Sequence, residues 1–124
     1  MKCLVMGCLF LTILFGSEEY STQYNDCIDT SEGVTSVMLD CMADETNNQD
    51  KLLNINYKKV MLMLDKEKKL ELKNAQRLWM KYRDANCNFF IGLSGGTIDS
   101  LNVTSCFLDM TAVRANDLDD LVME

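Results

Sequence analysis

The chain has 124 residues, of which 48% are hydrophobic and 25% charged, and it contains neither proline nor histidine. That length supports one domain with a modest core, and that composition excludes an intrinsically disordered chain. A formal net charge of −7 argues against nucleic acid and anionic membrane surfaces as partners, and fits an acidic surface that is simply solvated or that meets a basic protein.

The chain opens like a secretory signal peptide. Met1-Lys2 is a short basic start, Cys3 to Gly16 is an apolar run, and polar Ser17-Glu18-Glu19 follows. The run is shorter than the roughly 20 residues of a membrane span. Cleavage is expected near Gly16, giving a signal peptide at 1–16, an N-terminal arm and turn at 17–32, and a helical domain at 33–124. The protein is then exported, periplasmic or secreted. Membrane attachment would come only through an uncleaved leader or through lipidation at Cys8, where Val5-Met6-Gly7-Cys8 echoes a lipoprotein box. Removing the leader leaves Cys27, Cys41, Cys87 and Cys106, which read as two disulfides in a small exported chain. Four cysteines allow three pairings. Cys27–Cys41 and Cys87–Cys106 are favoured because each closes a short loop beside a helix end, and each would contribute about 3 kcal/mol. A single straight helix would hold Cys27 and Cys41 about 21 Å apart, so the chain must turn back near Gly33 if they pair.

In chain order, Ser17 to Asp26 is polar and reads as a loose arm. Val34, Met38, Cys41 and Met42 then recur at helical spacing. Asp44 to Lys51 is polar all round and predicts an exposed stretch or a kink. The apolar stripe resumes with Leu53, Tyr57, Val60, Met61 and Leu64. Asp65 to Lys69 is a charge cluster, either a turn or a solvated helix face, after which a helix starts at Leu70 or Leu72 and runs to about Asn88. On it Ala75, Leu78, Trp79 and Tyr82 share one face, with Trp79 and Tyr82 as core anchors. Gly92, Gly95 and Gly96 mark a loop. Thr104, within the glycosylation-type triplet Asn102-Val103-Thr104, is the expected N-cap of a last helix carrying Cys106, Phe107, Met110, Val113, Leu118 and Leu121. The fold class is all-α, a small antiparallel bundle of three to four helices with a disulfide-pinned Gly-rich loop.

No catalytic constellation stands out. Without histidine there is no Ser-His-Asp or Cys-His arrangement, and without a CxxC pair no zinc site. The glycines lack the GxxxxGK[ST] pattern of a phosphate loop. Asp117, Asp119, Asp120 and Glu124 lack the DxDxDG calcium pattern and read as a solvated helix end. The sequence thus points to a non-enzyme, with no cofactor, no metal and no small-molecule substrate.

The run Ala75-Gln76-Arg77-Leu78-Trp79-Met80-Lys81-Tyr82-Arg83-Asp84-Ala85-Asn86-Cys87 reads AQRxWxxYRDxxC. Other marked residues are Asp26-Cys27, Met38, Cys41, Leu53-Asn54-x-x-Tyr57, Gly95-Gly96-Thr97, Cys106 and Thr111-x-x-Arg114-Ala115-x-x-Leu118. Together they resemble the LprI-type lysozyme inhibitor family of small exported bacterial proteins. The chain departs locally, with Val34 and Val37 where the family often has Thr and Glu at the start of the first helix. The resemblance implies a helical, disulfide-linked envelope protein that binds and inhibits a basic lysozyme by occluding its cleft. The alternative is a non-catalytic helical scaffold for another envelope protein. Ser94, Gly95, Gly96, Thr97 and Asp99 are the candidate partner-binding residues, because a constrained loop loses less entropy on binding; otherwise they only connect two helices. Gln76, Trp79, Tyr82, Arg83 and Arg114 form the structural signature. Arg83 and Arg114 are expected to pair with a carboxylate such as Asp84 or Asp109, or else to contact a partner.

Overall fold

The computed structural model describes residues 20–122, and over them the chain forms four α-helices. The leader expected at 1–16 lies outside the described residues. Where the sequence reads as a loose arm, α1 runs from Thr22 to Thr30. Ser21 caps it, its Oγ accepting from the N–H of Tyr24 at 3.1 Å. The N–H and hydroxyl of Ser21 in turn donate to the Glu45 carboxylate. That joins α1 to α2 before any apolar contact is counted. The chain reverses over Ser31 to Gly33, with Glu32 and Gly33 at φ of 51° and 75°. The reversal brings Cys27 and Cys41 to a Cα separation of 5.8 Å in a disulfide.

Helix α2 is one unbroken element, Thr35–Met63. Its N-cap is Val34, which makes no side-chain capping bond, as expected for a β-branched apolar residue there. No kink interrupts 44–51, and the stretch is largely exposed as expected, except at Glu45 and Gln49. The inward face runs Cys41, Glu45, Gln49, Leu53, Asn56 and Val60, so two of the polar residues are inside rather than out. Gln49 Nε2 donates to Glu45 Oε1 at 2.9 Å, which with Ser21 satisfies the buried carboxylate. Burial pushes the Glu45 carboxyl up. The hydrogen bonds from Ser21, Gln49 and Asn48 outweigh that and leave it below its ordinary value.

The charge cluster at Asp65–Lys69 is a short turn followed by a solvated helix face, with Lys66 to Lys68 exposed. Asp65 is the N-cap of α3, Lys66–Asn88, accepting from the Lys68 N–H at 2.8 Å. The helix therefore begins four residues before Leu70. Helix α4, Ile98–Asp120, begins well before Thr104 as well, with Thr97 at its N-cap position. Asp99 falls in its first turn, where a carboxylate faces the positive end of the helix.

Helices α2 and α4 make the main contact of the fold. Asn56 of α2 donates to the Ala115 carbonyl of α4 at 2.9 Å. Ala43 and Val103 line one groove, and Val60 and Leu121 another. Both helices thus advance in the same direction, and α3, which joins them in the chain, returns antiparallel. Ala112 and Ala115 are buried on α4, and side chains this small let the two helices come close. Leu53, Ala115 and Leu118 form the core, with Tyr57, Leu72 and Trp79 packed against it. The second disulfide joins the end of α3 to α4, with Cys87 and Cys106 at a Cα separation of 5.4 Å.

Leu118 has no exposed surface, whereas Leu62 is 85% exposed. Leu118→Ala should lower the unfolding free energy by about 2–5 kcal/mol, and Leu62→Ala by no more than about 0.5 kcal/mol. Urea denaturation followed by circular dichroism measures both. Equal stability of the two variants would mean that α4 is not held through this contact.

Candidate functional site

Of the signature residues, Gln76, Trp79 and Arg83 lie on the face of α3 that turns toward α4, where Arg114 meets them. That face is Leu72, Gln76, Trp79, Arg83 and Cys87, spaced four, three, four and four. It is a different face from the Ala75, Leu78 and Tyr82 stripe. Leu78 and Tyr82 are 57% and 62% exposed, so Tyr82 is not a core anchor. The inward face is polar because its polar groups are matched. Arg114 Nε donates to Gln76 Oε1 at 2.9 Å, linking α4 to α3. The Arg114 guanidinium carbon lies 5.9 Å from the centroid of the Trp79 ring, and that of Arg83 lies 5.1 Å from it. Arg83 also covers Phe107 of α4, at 5.4 Å. Its Nε and Nη2 donate to Asp84 Oδ1 at 3.0 and 2.9 Å. Arg83 thus has the carboxylate partner expected of it, whereas Arg114 takes an amide. Asp109 instead accepts from the Tyr20 hydroxyl. These cations are spent on holding two helices together around an indole.

The second candidate, residues 89–97, lies between α3 and α4 above the Cys87–Cys106 bond. Asp99 organises it. Its carboxylate accepts from the Ser94 hydroxyl at 2.6 Å, the Ser94 N–H at 3.1 Å and the Gly95 N–H at 3.0 Å. The Gly96 N–H then donates to Ser94 Oγ at 3.1 Å. Gly92 and Gly95 take φ of 71° and 77°, the left-handed region that any side chain would strain. Asp99 is itself buried, so it shapes the loop from within. The Ser94 hydroxyl, ahead of the two N–H groups, holds its carboxyl below the ordinary carboxylate value against the opposing effect of burial. Ser94, Gly95, Gly96 and Thr97 are all exposed.

The loop is one wall of a groove of about 650 Å³ whose other walls are the start of α4 and Leu39, Asp40 and Ala43 of α2. Along its run Phe89, Ile91, Leu93 and Ile98 each expose half or more of their surface. Four such side chains in ten residues form an apolar patch of the kind that marks contact surfaces. The glycine-marked loop was visible in the sequence. The α2 wall was not, because nothing local connects Asp40 with Gly95. Among the described residues no group of acidic or cysteine side chains could hold a metal ion, and no helix is long and apolar enough to cross a membrane.

Comparison with known proteins adds one finding. A family model described as "Lysozyme inhibitor LprI" matches residues 18–118, a span that includes both the signature cluster and the loop. No curated protein and no solved structure matches the chain.

The Asp99 contact has a defined pH dependence. Its folded-state value lies below the unfolded one, so its stabilisation is present in full above the ordinary carboxylate range, near pH 4. It is lost as the pH falls through the folded value. Asp99→Asn should therefore melt below wild type at pH 7, and the gap should narrow as the pH falls below about 4. Thermal unfolding across that range measures it; a gap that stays constant would show that the charge on Asp99 plays no part.

Proposed function

Since the chain belongs to the LprI lysozyme inhibitor family, we propose that it is an exported, non-catalytic protein that binds a basic lysozyme and occludes its substrate cleft with the loop at 89–97. The family match over residues 18–118 carries this reading. Two features of the chain support it. The loop presents exposed Ile91 and Leu93 on a backbone fixed by Asp99 and a disulfide, so little ordering entropy is lost on docking. The loop also sits in acidic surroundings. No Lys or Arg occurs between Ser17 and Asp50, and Arg114 is the only one after Arg83. A field of that sign raises the association rate with a basic enzyme and makes it salt-dependent. Gly95, Gly96 and Thr97 would shape the contact, and Ser94 and Asp99 would hold it in place.

Titration of the oxidised protein against lysozyme turning over cell-wall substrate tests the proposal. Inhibition should be stoichiometric, should exceed that of an acidic helical protein of similar size, and should weaken as salt is raised. Ile91→Ser with Leu93→Ser should weaken it at least about tenfold without lowering the melting temperature, because both side chains already face water. Absence of inhibition across lysozyme classes would leave the domain as a scaffold for another envelope protein.

A further inference from the structure

The net charge conceals a strong separation along the fold. Residues 51–83 hold ten of the twelve Lys and Arg of the chain and three of its nineteen Asp and Glu. This segment is the second half of α2, the turn at Leu64–Asp65, and most of α3. The hairpin is thus basic, while the ends of the chain on either side of it are acidic.

The tip of that hairpin is not only basic. Leu62, the most exposed of the large hydrophobic residues described, is joined by Met63 and by Leu70, 62% exposed. All three lie within six residues of the turn. Leu62 follows Lys58 and Lys59 by four and three positions on α2, and Leu70 follows Lys66 by four on α3, so each apolar side chain shares a helix face with cations. Lys58, Lys59, Lys66 and Lys69 enter no ion pair. Two of the three nearby acids are already engaged: Asp65 caps α3, and Glu71 pairs with Lys68 at 2.6 Å. Capping does not neutralise Asp65, so Asp65 and Glu67 together oppose four free ammonium groups, which leaves a local excess of two positive charges.

We propose that the tip of the α2–α3 hairpin, centred on Leu62, Met63 and Leu70 and ringed by Lys58, Lys59, Lys66 and Lys69, docks onto an anionic phospholipid bilayer surface. The charge of the ring calls for an anionic partner. The apolar tip selects a bilayer over a soluble polyanion, because a polyanion gives Leu62 nothing to be buried in. Unbranched lysine stems keep their charge at headgroup level while the leucines enter the acyl boundary. The site does not rest on the lysozyme reading, since it uses the opposite end of α2 from the loop.

Vesicle co-sedimentation tests it, using the protein recovered after export of the full chain. Vesicles of phosphatidylglycerol with phosphatidylcholine are compared with phosphatidylcholine alone. Wild type should partition onto the anionic vesicles in preference to the neutral ones, and less so at high salt. Reversing four charges in Lys58→Glu, Lys59→Glu, Lys66→Glu and Lys69→Glu together should cut that partition about a hundredfold or more. Leu62→Ser with Leu70→Ser should cut it about tenfold. All variants keep the native N-terminus, so any contribution of residues 1–19 is common to them and drops out of the comparison. Equal partition of wild type onto the two vesicle types, or full retention by the charge-reversed variant, would overturn the proposal. So would loss on charge reversal with no loss in the leucine variant, which would reassign the tip to a soluble polyanion. A dimer in sedimentation equilibrium that the same substitutions abolish would also overturn it, in favour of a second copy.

Discussion

The close parallel approach of α2 and α4 is the constraint on which the remaining geometry depends. It requires small residues on α4, supplied by Ala112 and Ala115, and a polar group on α2 that can bond to a helix backbone, supplied by Asn56. Two parallel helices cannot be joined by a short turn. The chain must first travel back the length of α2, and α3 is that return. Hence α3 buries only Gln76 and Cys87 outright and is fastened at its C-terminal half, by the signature cluster and the disulfide. In its N-terminal half Leu72 packs against the core while Lys66, Lys68 and Lys73 stay exposed. The same topology puts the α3–α4 loop beside the start of α2 and the α2–α3 turn beside its end.

The seam between α2 and its neighbours is unusually polar for so small a core. Glu45 is buried, and such a group is tolerable only when its lone pairs are met, which Ser21, Gln49 and Asn48 do. The hydrogen-bonded carboxylate fixes where α1 attaches, as a nonspecific apolar contact would not. Asn56 Oδ1 and Thr111 Oγ1 are buried without a partner, a cost the pairing of α2 with α4 absorbs. Two disulfides then limit how far the unfolded chain can spread, which compensates for a core built around Leu53, Ala115 and Leu118.

What was legible in the sequence was whatever depended on short-range pattern: helical class, the turn at Gly33, the two cysteine pairs, and the break at the glycines. The misread helix faces had one origin. Hydrophobic periodicity names the wrong face where a helix buries polar residues, and it did so twice. Glu45 and Gln49 made 44–51 look like a kink, and Leu78 with Tyr82 outscored Gln76 and Arg83 on α3. In both places the inward side chains are satisfied by partners 24 to 38 residues away, Ser21 for Glu45 and Arg114 for Gln76. The capping at Ser21 and Asp65 was local and could have been found, since each is an N-cap residue type directly before a helix. The groove beside Gly95 could not, because its α2 wall comes from Asp40.

Net charge was the least informative sequence quantity, and the reason is physical. Screening confines electrostatic influence to about 10 Å or less at moderate salt, so a partner responds to the charge near its own contact rather than to a total. From Ala43 beside the loop to Leu62 at the hairpin tip, α2 alone spans about 28 Å at 1.5 Å per residue. That is more than two screening lengths, so the acidic end and the basic end act as separate surfaces on one rod. A chain of −7 can therefore attract a basic protein at one end and an anionic bilayer at the other without the two attractions cancelling. On this arrangement a protein resting on a membrane by its hairpin holds the loop at 89–97 outward, where a soluble enzyme would meet it. The long unbroken α2, which the polar run at 44–51 disguised, is what keeps the two surfaces apart.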